Sequence, residues 1–534
     1  MWRDVLANNL PSRDLPASRA LDTRAGNVAT RQAWPGLGWA SLARSVKRSR
    51  RAFGLAVALL AIAGPLELVR SSATAIAQSP PAGVDRPAVD SIYSIDSKLS
   101  PARTADARQR LAATPSLFDQ LIRPPTRDRK AGAVDAWDVA RARPIPVVLF
   151  QADEAGTPPE EYLKSGGLSG SSGYFDGVRL LVCVGPLQDD AAWRVLQHEA
   201  FHAYLRYRFI DLGGGGEAAG RLLPPWLEEG LAEYAGEAAF GGDIYYPGAL
   251  HPSRVEQIIG HIRARRFIPL GDLMRTQRPA WNAALGDVYY DQAFAVIHYL
   301  LQAESQRHAV AVSRLIEGYL VDDAEIRRDA LQSLGPIDSL ERRVSNWWLS
   351  QPRDPTPEIY AAADLRLIAR ELATPVGATS RPSRSFSRVD PLEAFAVIMQ
   401  AQDAPLSPGE PSPNQPTTRP AAYPSATRMA MQRAASAGVW EWLPTRRRDS
   451  YAIKLTLPDG CEVASIWSAT VEPQVIIDRL PRDVLRAQSL WSGGEAEAAR
   501  DMLAKSIASH PRSVHLPAAR EALRKLANTL PPKR

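Results

Sequence analysis

The chain has 534 residues, of which 45% are hydrophobic and 23% are charged. This composition is typical of folded globular domains and excludes a wholly disordered chain, a collagen and a polytopic membrane protein. The length predicts about three or four domains. The formal net charge is +6, but residues 1–78 contain 11 basic and 4 acidic residues, whereas the remainder contains 53 and 54. The body therefore has no excess positive charge to attract nucleic acid, and no nucleic-acid partner is expected.

The first 78 residues have the composition of an export signal. A basic run at 44–51 precedes an apolar run from Ala52 to Gly64, and small residues at 75–77 provide a cleavage pattern. The apolar run is shorter than the roughly 20 residues that span a bilayer. We therefore predict that residues 1–78 are a signal or leader, and that the body is exported to the periplasm or secreted. The alternative is an uncleaved N-terminal anchor, which would then be the protein's contact with the membrane.

The sequence pattern in the middle of the chain predicts an α+β domain at 141–352, with a small mixed sheet followed by a mainly helical half. Residues 79–140 are polar and form an N-terminal region of unknown role. Two short runs rich in β-branched residues, Ile145–Gln151 and Val178–Val184, are predicted strands. A helix is expected to begin near Asp190 and to continue to about Arg208. A second helix begins at 224–225, where two prolines occupy positions that need no backbone N–H donor.

The C-terminal third predicts a linker and a separate small α+β region. Residues 353–430 are assigned to a Pro/Ser-rich linker because seven of the twenty residues at 405–424 are proline. Residues 431–534 then form a β-hairpin, with strands at 451–457 and 461–468, and a helical hairpin that turns near Ser492.

The segment 198–202 reads His-Glu-Ala-Phe-His and carries the chemistry of a metal site. Residues four apart lie on one face of a helix, so His198 and His202 can bind one ion. Glu199 lies about 100° further round, where it can approach a water molecule at the metal. A catalytic zinc takes three protein ligands, so a third must come from elsewhere. The extended metzincin pattern does not supply it, because its glycine and third histidine would fall on Leu205 and Arg208.

The second helix carries a resemblance to a known family. Residues 226–232 read Trp-Leu-Glu-Glu-Gly-Leu-Ala, which resembles the helix that follows the first motif in gluzincin metallopeptidases, the clan of thermolysin and aminopeptidase N. The resemblance implies a zincin-type catalytic half in which Glu229 is the third zinc ligand. Glu228 remains the rival ligand, or else a solvated charge. Glu233, one turn further on, would be the acid that orients His198.

Two further segments extend the resemblance. Residues 287–294 are similar to the aminopeptidase segment whose tyrosine stabilises the oxyanion, a role that would fall on Tyr290. Gln292 and Ala293 depart from that segment, which leaves Tyr289 and His298 as substitutes. Residues 173–175 fall where gluzincins place an edge strand beside an extended peptide. The motif with which aminopeptidases recognise a free amine is missing, so that specificity is not expected.

The predicted function is an exported zinc metallopeptidase that acts on a peptide or protein substrate. Zn²⁺ would be bound by His198, His202 and Glu229, with Glu199 as the general base and Tyr290 as the oxyanion donor. The alternative is a non-catalytic binding protein that uses a peptidase-like cleft together with the C-terminal region.

Overall fold

The computed structural model describes residues 92–122, 144–153, 157–167, 172–185, 191–213, 223–283, 287–303, 305–373, 425–443, 450–468, 472–511, 513 and 515–529. The predicted leader at 1–78 and the proline-rich segment at 405–424 lie outside these ranges. Within them, every helix is too short or too polar to cross a membrane.

A four-stranded mixed sheet opens the fold. Its strands are β1 (Tyr93–Ser97), β2 (Ile145–Gln151), β3 (Gly173–Phe175) and β4 (Leu180–Val184). They lie in the order β1-β2-β4-β3, in which β1, β2 and β4 are parallel and β3 runs antiparallel along the β4 edge. All five residues of β4 are buried, as expected for a strand covered on both faces.

Residues 92–122 share the core of this sheet rather than forming a region apart from it. Helix α1 (Pro101–Leu121) follows β1 and precedes the segment that leads to β2. The ring of Phe118 on this helix packs edge-on against that of Phe201, with ring centroids 5.3 Å apart. The Tyr93 hydroxyl is hydrogen-bonded to that of Thr114 at 2.9 Å. The predicted region 79–140 therefore contains a strand and a helix of this domain, because β1 pairs with β2, in which Ile145 lies opposite Tyr93.

A short helix, α2 (Glu160–Lys164), lies between β2 and β3, and the helical half follows the sheet. Its helices are α3 (Ala191–Gly213), α4 (Pro225–Gly236), α5 (Pro252–Arg263), α6 (Leu270–Arg275), α7 (Arg278–Ala283), α8 (Asp287–Gln302), α9 (Ser305–Leu320), α10 (Ala324–Ser333) and α11 (Ile337–Leu349). A small hairpin of β5 (Ala239–Phe240) and β6 (Tyr245–Tyr246) follows α4. Helix α4 packs against both α3 and α8. The predicted helices at 190–208 and from Pro225 are confirmed, and so is the α+β class.

The C-terminal part forms a second, antiparallel sheet. It contains α12 (Pro357–Ala373), α13 (Ser425–Ala437), β7 (Val439–Leu443), β8 (Ser450–Thr456), β9 (Glu462–Ser468), β10 (Gln474–Asp478), α14 (Leu480–Ser492), α15 (Ala496–Ser509) and α16 (Leu516–Thr529). The strands lie in the order β10-β9-β8-β7, and α12 and α13 pack against each other. The core beneath the sheet takes in side chains of the β5–β6 hairpin, and Arg366 of α12 pairs with Asp243 of that hairpin at 2.7 Å.

One sequence prediction for this part needs correction. Helix α12 and the beginning of α13 lie inside the range 353–430, so the linker cannot span all of it. Helix α12 contributes several buried apolar side chains to the core beneath the sheet. The predicted strand pair at 451–468 is confirmed as β8 and β9, within a larger sheet. The predicted helical hairpin that turns near Ser492 is present as α14 and α15. The sequence analysis did not foresee α16, which packs against both of these helices and completes a small core that contains Leu503 and Leu526.

Candidate metal centre

Helices α3 and α4 bring three potential ligand atoms together. The Nε2 atoms of His198 and His202 lie 3.0 Å apart, and Oε2 of Glu229 lies 3.3 Å from each of them. Ligand bonds of about 2.0–2.1 Å in tetrahedral geometry place neighbouring donor atoms about 3.3 Å apart. The triangle of two imidazole nitrogens and one carboxylate oxygen therefore has the size and chemistry that a zinc ion requires, and these three residues could hold a metal.

Small residues set the distances between the helices that carry this cluster. A Cβ atom on Gly230 would lie 2.6 Å from Cγ1 of Ile297 and 2.7 Å from the carbonyl oxygen of Ala293, both on α8. A Cβ atom on Gly236 would lie 3.1 Å from the carbonyl oxygen of Arg194 on α3. Glycine thus lets α4 approach α8 on one side and α3 on the other, which places Glu229 against the two histidines.

Each histidine has a carboxylate on its outer ring nitrogen. Nδ1 of His198 lies 3.3 Å from Oε1 of Glu233, as the resemblance implies, and Nδ1 of His202 lies 3.1 Å from Oε1 of Glu228. Such a partner fixes the ring orientation and leaves Nε2 free to bind a metal. Glu228 is buried, so it is not the solvated charge that the sequence analysis allowed, and the group of potential ligands contains Glu229 instead.

Arg278 of α7 balances the two adjacent glutamates. Its Nη1 donates to Oε1 of Glu229 at 2.5 Å, and its Nη2 donates to Oε2 of Glu228. Burial opposes ionisation of Glu229, but the charge on His202 holds the pKa of that carboxyl well below its usual range. Burial likewise disfavours a charge on His198, yet hydrogen bonds to Glu229 and Glu233 raise its pKa to about 10. A cation that binds these nitrogens must therefore displace protons.

Glu199 lies between the cluster and the edge strand β3. Burial raises the pKa of its carboxyl, and the backbone N–H of Phe175 donates a hydrogen bond to it. The N–H of Asp176 bonds to Arg179 and that of Cys183 to Ser172, so by the alternation of an antiparallel pair the backbone groups of Phe175 point away from β4. The outer edge of β3 therefore faces Glu199, the side chain that would act as the base.

Gly173 allows β3 to come this close to α3. A Cβ atom on Gly173 would lie 2.2 Å from Cγ1 of Val195 and 3.0 Å from Cγ of Glu199. Since any larger residue would push the strand away from α3, the distance between the edge strand and Glu199 depends on this glycine.

All three candidates for the oxyanion donor lie on α8, and two of them, Tyr290 and His298, occupy different surroundings. The ring of Tyr290 lies 6.5 Å from that of His198 and packs edge-on against Trp281. Burial, reinforced by the charge of Glu229, raises the pKa of the Tyr290 hydroxyl, which therefore keeps its proton and can donate. His298 is instead fully buried, with its ring 5.6 Å from that of Trp348, and burial lowers its pKa to about 4.

The third candidate, Tyr289, packs edge-on against Trp281 with ring centroids 5.3 Å apart. Of these three residues, Tyr290 is the one whose ring is in contact range of a cluster histidine.

The structure adds charged residues that the sequence analysis missed. Nη2 of Arg254 lies 2.8 Å from Oε2 of Glu233, and its Nη1 lies 3.1 Å from Oδ1 of Asp291. Asp291 could have been found from the sequence, because it directly follows the candidate Tyr290 in the segment 287–294. Arg254 and Arg278 carry no sequence signal, since they lie 21 and 49 residues along the chain from the glutamates that they contact.

Comparison with known proteins finds no family model that matches the chain and no similar curated protein. The structure itself shows a cluster of His198, His202 and Glu229 that could hold a metal ion.

Proposed function

We propose that this protein is a zinc metallopeptidase of the gluzincin type, which hydrolyses peptide bonds after export from the cell. The observation that carries the proposal is the cluster of His198, His202 and Glu229, whose ligand atoms lie 3.0–3.3 Å apart. The proposed location rests on the sequence of residues 1–78, with its basic and apolar runs.

The residues around the cluster have complementary roles in this proposal. Zinc held by a His-His-Glu set supplies Lewis acidity toward the substrate carbonyl and the attacking water. Glu199 accepts the proton of the water and returns it to the leaving amine, and burial raises its pKa toward the range of an effective base. Tyr290 keeps its hydroxyl proton and donates it in a hydrogen bond to the oxygen on which negative charge develops.

The substrate is proposed to bind along β3. This strand is at the edge of its sheet and lies against Glu199, so an extended peptide bound along its outer side would lie beside the proposed base. A linear peptide or an unfolded protein segment is therefore the class of substrate that this site fits.

The test begins with the zinc content of the exported chain, residues 79–534, purified by gel filtration without added metal. We expect about one zinc ion per chain, lost in His202→Ala and Glu229→Gln but kept in the control His251→Ala, which changes an exposed histidine. Glu199→Gln should keep zinc while kcat toward a fluorogenic peptide library falls at least about 100-fold.

Each outcome has a distinct meaning. A wild-type chain that neither contains zinc nor takes it up would overturn the proposal. If zinc stays bound in Glu229→Gln but is lost in Glu228→Gln, the third ligand is Glu228 and not Glu229. Bound zinc without hydrolysis of any peptide would favour the non-catalytic binding protein.

A further inference from the structure

A row of charged side chains begins at the cluster of His198, His202 and Glu229 and connects the helices α4, α5 and α8. Glu233 of α4 contacts His198 through Oε1 and Arg254 through Oε2, at 3.3 and 2.8 Å. Arg254 of α5 continues the row to Asp291 of α8 at 3.1 Å. His261, also on α5, closes the row with its Nε2 2.9 Å from Oδ2 of Asp291.

The row runs from the partly exposed side chains of Glu233 and Arg254 into the core. The side chain of Glu233 is 21% exposed, that of Arg254 15% and that of Asp291 1%. Ionised carboxylates in such surroundings must be paired, because an unpaired buried charge is strongly destabilising. Arg254 places a positive charge between the two carboxyl groups, and its charge helps to hold the pKa of Glu233 below its usual range.

Arg254 makes its two contacts through different nitrogens of one rigid, planar group. Nη2 donates a hydrogen bond to Glu233 and Nη1 makes an ion pair with Asp291, so one guanidinium lies between the two carboxyl groups. The ring of Phe294, one turn along α8 from Asp291, lies 4.9 Å from the guanidinium carbon and supports its orientation. A lysine could supply the charge at this position, but not the two-point geometry.

We propose that Arg254 is a positioning residue that couples the metal cluster to Tyr290. On one side it holds Glu233, which orients His198. On the other side it holds Asp291, which directly follows Tyr290 on α8. This role rests on the proposed function and extends it: the placement of the oxyanion donor relative to the metal depends on a residue that touches neither substrate nor metal.

The two sides of the link predict different losses. Arg254→Met removes both contacts, so it should weaken zinc binding about 10- to 100-fold and lower kcat. Asp291→Asn leaves the contact between Arg254 and Glu233, so it should lower kcat about tenfold while zinc affinity stays within twofold of the wild type. Arg254→Lys keeps the positive charge and should retain zinc affinity, but it should show the same fall in kcat with KM unchanged.

The experiment measures metal binding and activity separately in the exported chain. Zinc affinity is obtained by competition with a chromogenic chelator, and ligand geometry by the visible absorption of the Co²⁺-substituted protein. The kinetic substrate is the peptide that the wild type hydrolyses fastest in the library. Arg433→Met serves as the matched control, because Arg433 makes a two-point ion pair with Asp364 in the C-terminal part. It should change neither the Co²⁺ spectrum nor kcat.

The outcomes separate this proposal from the proposed function. Wild-type protein that takes up neither Zn²⁺ nor Co²⁺ would overturn both. Wild-type protein that binds metal, together with an unchanged Co²⁺ spectrum and kcat in Arg254→Met, would overturn the positioning role alone. If Arg254→Met does not fold, Arg254→Lys and Asp291→Asn decide the question, and an unchanged kcat in both would refute the link to Tyr290.

Discussion

Protonation of His298 should destabilise the protein at mildly acidic pH. Its ring is 1% exposed and is enclosed by aromatic side chains that include Phe294 and Trp348. Nε2 donates to the carbonyl oxygen of Gly248 at 3.2 Å, and Nδ1 has no hydrogen-bond partner among the described residues. A proton on Nδ1 would therefore place a charge in the core without an acceptor, which is why burial lowers the pKa of His298.

The size of the effect follows from the two pKa values. The pKa of His298 is lowered from 6.5 to about 4, so below pH 6.5 the unfolded chain binds a proton that the folded chain excludes. The stabilisation is fully present above pH 6.5 and is lost as the pH falls toward 4. At about 1.4 kcal/mol per pKa unit the full loss is about 3 kcal/mol, and the loss between pH 7.5 and pH 5 is about 2 kcal/mol.

The assay compares His298→Gln with the wild type, since glutamine keeps an N–H donor for Gly248 and cannot be protonated. Urea unfolding is followed at pH 7.5 and pH 5 by tryptophan fluorescence, to which Trp347 and Trp348 beside the ring contribute. The free energy of unfolding of the wild type should fall by about 2 kcal/mol more than that of the variant. His251→Gln, at an exposed site, should behave like the wild type. Parallel pH dependences of wild type and His298→Gln would refute the reasoning.

Two more substitutions test the packing around the site. Gly230→Ala places a Cβ atom 2.7 Å from the carbonyl oxygen of Ala293, so the free energy of unfolding should fall by about 1–3 kcal/mol in urea titrations. Unchanged or higher stability would show that α4 and α8 are not in such close contact. Arg366→Leu leaves Asp243 buried without its main partner and should cost about 3 kcal/mol, most of which Asp243→Asn in the same chain should restore. Additive losses in the double variant would contradict this account of the ion pair.

The elements of the site with local signals could be predicted from sequence. A helix repeats every 3.6 residues, so the spacing of His198 and His202 places both imidazoles on one face wherever that helix lies. The start of α4 at Pro225 follows from proline's fixed φ and missing donor. Strands β2 and β4 are marked by short runs of β-branched residues.

Elements that depend on distant partners were predicted poorly. Strand β1 and helix α1 share the hydrophobic core of the domain that carries the candidate site, but their sequence is polar and their partners lie far along the chain. Helix α12 was assigned to a linker because prolines that lie further on dominate the composition of its segment. Helix α16 completes a core that α14 and α15 leave open, and nothing within a two-helix pattern requires it.

The sequence by itself thus determined the donor types of the site and their position on single helices, because helical periodicity is a local property. Tertiary structure decided how those faces meet. In the folded protein Glu229 contacts the Nε2 atoms of both histidines, whereas Glu228 contacts Nδ1 of His202, although the two glutamates are neighbours in the chain. Tertiary structure also buried His298 in the core and brought Arg254 between two helices. These outcomes depend on contacts between residues far apart in sequence, which the local pattern of each segment does not encode.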